Sequence, residues 1–343
     1  MAVTAGRFEL LIRQRLGALS RTLPSARAGD VTSVHQARVA TRRLREALPL
    51  ITRGSALQKH TRRVRRLTRS LGPVRELDVA LLTLDEFDDK RGTAPGRSGR
   101  QEGTASSRSG RQEGTASSRS GRQEGTASSR SGRQGEVPRA GVLSLQQAIR
   151  QERTLMQVDM RRTIDRTHLD KLSDKLVAAA RKRDKEGPGP RTVDPKQLAA
   201  ARDRVARRAE RLRIKIENAA AIYLPDRLHE VRIAAKKLRY ALEIVRDLSR
   251  SRATARILTL KRAQDLLGRI HDLEVLIART RAIQGSPNAP TLRASADMDL
   301  LVRRLETECR RLHGRYIAMR APMLTICDHV SGVRTSRRGE PAA

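Results

Sequence analysis

Residues 229–242 read HEVRIAAKKLRYAL, and residues 35–48 read HQARVATRRLREAL. Both fit one template: His-x-x-Arg-apolar-Ala-x-basic-basic-Leu-Arg-x-Ala-Leu. At the helical pitch, His229, Arg232, Lys236 and Arg239 fall within a stripe about 80° wide. His35, Arg38, Arg42 and Arg45 make the same stripe in the first copy, with Arg43 and Lys237 filling the second basic position of each. Roughly opposite lie Val231, Ala234, Leu238, Ala241, Leu242 and Val245, matched by Ala37, Ala40, Leu44, Ala47, Leu48 and Ile51. Each copy therefore predicts a helix with one face for packing and another crowded with positive charge. Like charges at i,i+3 and i,i+4 spacing destabilise a helix, so packing does not explain the stripe. A bound polyanion would relieve it.

A second pair of segments is also duplicated. LGPVRELDVALL at 71–82 is echoed by LGRIHDLEVLI at 267–277, with Gly72 against Gly268 and Asp78 against Glu274. The helix before each carries more cations: Arg62, Arg65, Arg66 and Arg69 in the first, Lys261 and Arg262 in the second. The two pairs set a repeat period near 194 to 196 residues. The glycines predict a kink or a close helix approach. The neighbouring acids are candidates to pair with, and hold, the cations of the duplicated helices.

These paired motifs resemble the two signature helices of the CHAD family, α-helical domains named for their histidines. The resemblance implies an all-α fold of two pseudo-repeated four-helix bundles with a basic central groove or cavity. It also implies binding of inorganic polyphosphate. The cations and histidines named above are then the expected contacts: His35, Arg38, Arg42, Arg43, Arg45, Arg62, Arg65, Arg66, Arg69, His229, Arg232, Lys236, Lys237, Arg239, Lys261 and Arg262.

Composition agrees with a helical anion binder. Lysine and arginine number 72 against 37 acids, a formal charge of +35, which points to an anionic partner. The five aromatics, Phe8, Phe87, Tyr223, Tyr240 and Tyr316, leave the core to Leu, Ile, Val and Ala. That composition suits bundles better than sheets. Single-strand nucleic-acid binders stack bases on aromatic side chains, and Tyr240 is the only aromatic in either signature helix. Nucleic acid on the same faces is the alternative reading, with duplex open and single strands disfavoured.

Each histidine has cations at i+3 and i+7, which would repel a divalent ion, so no metal is expected. ETECR at 306–310 loosely resembles the Glu-x-Glu-x-Lys strand motif of CYTH-type triphosphatases, which CHAD domains sometimes accompany. It lies in a run of helical period, and no phosphate-binding loop or catalytic triad spacing accompanies it. The expectation is a protein without catalysis or cofactor. Cys309 and Cys327 show neither a disulfide framework nor metal spacing, and reduced thiols are expected. No segment reads as a signal peptide or a membrane span. A cytoplasmic protein is expected, associated with polyphosphate granules and with polyphosphate-metabolising enzymes as possible partners.

The expected domain runs over 3–331, with a first half at 3–186, a second at 194–331, and a flexible tail at 332–343. In the first half, helices are expected over 7–23, from Asp30 or Thr32 to Thr52, through the 62–82 region, and as two more between Val142 and Lys182. The second half adds 196–222, the helix after Pro225, 253–284, and one or two helices over 293–330 broken by Pro322. Within 92–140, RSGRQEGTASS occurs three times from Arg97 to Ser129. An 11-residue period can signal a right-handed coiled coil, but these units have no apolar seam, so disorder is expected. Residues 92–136 hold eight arginines and four glutamates, +4 of the +35. A protein lacking residues 95–134 is expected to keep its helical circular dichroism and its anion affinity. Loss of the helical signal would show that the insertion supports the fold.

Overall fold

The structure, a computed structural model, describes residues 6–89, 139–186, 195–249, 253–287 and 290–331. The repeats between Arg97 and Gln134 and the tail from 332 lie outside the described residues. Among those described, the chain is all helical: α1 (Arg7–Ala28), α2 (Val31–Ile51), α3 (Gly54–Asp89), α4 (Arg139–Asp165), α5 (Leu169–Lys185), α6 (Pro195–Ala219), α7 (Pro225–Ser249), α8 (Thr254–Gln284) and α9 (Leu292–Ser331).

Helix ends follow local chemistry. α1 runs through the exposed Pro24 and stops at Gly29, whose φ of 98° lets its N–H and that of Asp30 turn back onto the Ser25 and Ala26 carbonyls. Asp30 then caps α2, its carboxylate accepting from the Ser33 N–H at 2.7 Å. Pro195 and Pro225 open α6 and α7, where a missing N–H costs nothing. The breaks expected at Pro24 and Pro322 are absent, and α3 continues across Gly72-Pro73. At each proline the helix loses one hydrogen bond, and packing on both sides holds its direction.

The apolar faces read from the sequence form the core. Ala37, Ala40, Leu44, Ala47, Leu48 and Ile51 are buried on α2, as are Val231, Leu238, Ala241, Leu242 and Val245 on α7. Ala234 is half-buried, and Ala235 lies deeper. Helices α6 to α9 close a four-membered ring, with α6 against α7 and α9, and α8 against α7 and α9. Before them, α1 to α4 pack in sequence, and α5 lies on α1 with a lighter contact on α2. The first half thus has one helix more than a four-helix unit. The halves meet through α4 on α9, α3 on α8, and α2 on α7, so each of the two duplicated segments lies beside its own counterpart.

Ion pairs fasten that junction. Arg15 of α1 reaches Asp247 of α7 at 2.6 Å, Arg208 of α6 holds Glu46 of α2, Arg269 of α8 holds Glu86 of α3, and Arg279 of α8 holds Glu152 of α4. Deepest is Glu243 of α7, only 4% exposed. It accepts from Arg43 of α2 at 3.2 and 3.3 Å and from Arg239 one turn before it. Removing one member of a buried ion pair leaves the others uncompensated. Glu243→Gln is expected to lower the unfolding free energy by about 2–3 kcal/mol, read by urea titration, given that Arg43 keeps some solvent. A loss under about 0.5 kcal/mol, the size of an ordinary surface change, would show that the clip is incidental.

Candidate anion-binding site

Where α2, α3 and α7 come together they leave an open cleft of about 430 Å³. Arg38, Arg42 and Arg45 enter it from α2, Arg65 and Arg69 from α3, and Lys236 and Lys237 from α7. Glu46 and Glu76 are the acids along it, and Thr68, Gly72, Pro73, Ile233 and Tyr240 complete the lining. Glu46 is already taken by Arg208. Arginine at these positions presents forked donors matched to phosphate oxygens, and the lysines add mobile point charges.

The cations repel one another in partial isolation from water. Arg38 is pulled down to about 10, first by burial and then by Arg42 and Arg232. Its Nε is buried with no hydrogen-bond partner. Lys236 is pulled down to about 7 by burial, then by Arg42, Arg232, Arg38 and Arg45. Its folded-state value thus lies below the ordinary 10.5. Between those two values the unfolded chain binds more protons than the folded one. Through this group, stability therefore rises with pH across that window, and the penalty is fully present below it. The repulsion inferred from the stripe is located in this cleft.

The histidines lie beside the cleft, where burial and the neighbouring cations disfavour their charged forms. His35 is crowded by surrounding protein and by Arg75, Arg38 and Arg42, which pull its imidazole down. The His229 and His271 rings meet Nδ1 to Nδ1 at 3.1 Å, one donating and one accepting. Burial, Arg232 and the partner ring bring His271 down to about 4. Burial, Arg232 and Lys236 lower His229. Among the described residues no group of three or more His, Cys, Asp or Glu is placed to hold a metal.

The other expected contacts divide. Arg232 faces Arg38, Arg42 and Lys236 from α7 and lies over Gly268, where an added Cβ would sit 3.5 Å from its Nε. A Cβ there would make only an ordinary contact, so the packing does not require glycine at 268. Gly72 has open space beside it and faces the cleft instead. Arg43 and Arg239 are turned to Glu243, and Arg239 also donates to Gln264 at 3.0 Å and covers the Tyr240 ring. Arg62, Arg66, Lys261 and Arg262 are exposed on α3 and α8 and do not line the cleft.

Three residues outside the expected set join the site: Arg75, His271 and Asp272. Arg75 and His271 occupy matching positions in the second duplicated motif, three residues after Gly72 and Gly268. That register was the signal for them. Of the acids in that motif, Glu76 and Asp272 act on the cations of the duplicated helices. Asp78 and Glu274 do not: Asp78 accepts from Arg153 of α4 at 2.6 Å, and Glu274 from the Tyr223 hydroxyl. Burial raises the Asp272 carboxyl against the pull of Arg232 and Arg75. ETECR lies inside α9 with Cys309 buried, so it forms no strand. Cys309 and Cys327 are both buried and unpaired. No helix among the described residues is long and apolar enough to cross a membrane.

Comparison with known proteins places this geometry. No curated protein matches the chain. Among the solved structures that share its fold are two of low sequence identity. The crystal structure of the CHAD domain from the plant Ricinus communis is 18% identical with a TM-score of 0.54, over 98% of this chain and 96% of that one. PptA from Streptomyces chartreusis is 15% identical with a TM-score of 0.54, over 91% of this chain and 97% of its own. The CHAD domain family model matches residues 10–281, which include both duplicated helices and all seven cations of the cleft. The chain belongs to the CHAD domain family.

Proposed function

We propose that this protein binds inorganic polyphosphate, without catalysis, in the cleft between α2, α3 and α7. The observation that carries the reading is the convergence of seven cations from three helices on one open cleft, where the buried Arg38 Nε lacks a partner. Membership of a family linked to polyphosphate supports it. A linear phosphate polymer carries roughly one charge per unit, and its binding follows counterion release as for other dense polyanions. The cleft offers charge and forked donors with no reader of sequence. Localisation to polyphosphate granules and regulation of enzymes that make or consume the polymer are the roles such a module would serve.

The competing ligand is nucleic acid. Tyr240, the aromatic lining the cleft, is 5% exposed and has the Arg239 guanidinium 4.6 Å from its ring centroid. It is not free to stack on a base, so single strands lose their usual anchor.

Charge reversal tests the site. Arg38→Glu with Arg42→Glu, or Arg232→Glu with Lys236→Glu, is expected to weaken polyphosphate binding by about a hundredfold or more with the helical spectrum kept. Normal binding by both would place the ligand elsewhere, with the exposed Arg62 and Arg66 face of α3 examined next. Lys236 adds a pH signature. A polyanion favours its charged form, so binding takes up a proton. Affinity for long chains then falls as pH rises from about 7 to 9, by at most roughly tenfold per unit. Lys236→Arg is expected to keep binding and flatten that dependence. A wild-type affinity that is constant over the same range would contradict this role for Lys236.

A further inference from the structure

A second group of cations lies outside the cleft, at the C-terminal end of α2. Arg53 just past α2, Arg183 near the end of α5, Lys196 on the first turn of α6 and Arg204 two turns further along it surround a pocket of about 230 Å³. None belongs to the duplicated stripes. The wall between them is apolar, including Leu50 and Ala200.

The charge of Arg204 is not cancelled. Glu186 accepts from Arg183 at 3.0 Å. Glu46 is the carboxylate that acts on Arg204, but its Oε2 already takes Arg208. Arg204 makes no hydrogen bond or ion pair among the described residues, and burial followed by Arg208 pulls its guanidinium down. Two polar atoms of the lining, Arg183 Nε and Gln197 Oε1, are buried without partners. A half-turn of the Gln197 amide presents its NH₂ instead, so both groups can donate. The first turn of α6 borders the pocket and adds the positive end of a 25-residue helix. The C-terminal ends of α2 and α5 set fractional negative charges against this, smaller than the full charges of Arg53 and Arg204.

We propose that this pocket is a second anion site, taking one terminal phosphate group at a time. The group could come from free orthophosphate or pyrophosphate, or from the end of a polyphosphate chain. The pocket, about half the volume of the cleft, has room for one or two phosphate groups. Arg208, next to Arg204, joins it to the cleft edge at Glu46 and Lys237. The site does not depend on what the cleft binds.

Titration calorimetry of the full-length protein separates these possibilities. Pyrophosphate and orthophosphate are titrated into wild type, into the cleft variant Arg38→Glu/Arg42→Glu, and into two pocket variants. These are Arg53→Glu/Lys196→Glu, which changes two exposed side chains, and Arg204→Gln. Both pocket variants are expected to weaken pyrophosphate binding about tenfold or more, while the cleft variant keeps it. Long polyphosphate capped at both ends, compared with uncapped chains, reports the other source. A pocket-dependent preference for uncapped chains assigns the site to chain ends, even when free phosphates bind weakly. The proposal is overturned if the folded pocket variants match wild type for both free phosphates and uncapped chains. It is equally overturned if the cleft variant alone removes all phosphate binding.

Discussion

Cationic repulsion across the meeting line of α2 and α7 is the constraint around which the centre of this molecule is arranged. Arg38, Arg42 and Arg45 on one helix face Arg232 and Lys236 on the other, and burial strips away much of the water that would screen them. Burial first, and then this repulsion, bring Lys236 down to about 7. The nearby acids offset it only in part. Glu243 takes up Arg43 and one stripe member, Arg239, and Glu46 is spent on Arg208, so neither carboxylate is left for Arg38, Arg42, Arg232 and Lys236. The cross-half ion pairs hold the helices in a position that charge alone would open.

Much of this was legible in the sequence, because a helix's faces follow from its pitch. The duplicated template separated core from cation face residue by residue, and Leu44 and Leu238 are fully buried as that division requires. What one helix cannot show is which neighbour lies over each face. Arg239 sits on the stripe of α7 by angle, yet Glu243 one turn later claims it together with Arg43 from α2. Glu243 has no duplicated counterpart, since Pro49 occupies the matching place, so the repeat gave no hint of the clip. Arg204 was hidden for a similar reason: its pocket exists only where α2, α5 and α6 converge.

Prolines misled in the other direction. Pro24 and Pro322 read as stops because each removes a backbone donor and crowds the preceding turn. In α1 and α9 the chain on either side is anchored by buried residues, Leu23 and Ala26 in one and Met323 and Ile326 in the other. Burial of that size outweighs one lost helical hydrogen bond. Across Gly72-Pro73 the same continuity has a use, since both residues line the cleft and leave it open.

The account rests on a site that supplies charge and forked donors but no free aromatic surface. The most direct test is competition of polyphosphate against single-stranded RNA and duplex DNA, at matched total charge and fixed salt, on the full-length protein. Polyphosphate is expected to displace both nucleic acids, with an affinity that falls steeply as salt rises. Equal or tighter binding of RNA or duplex DNA would contradict the assignment and make this cleft a nucleic-acid surface.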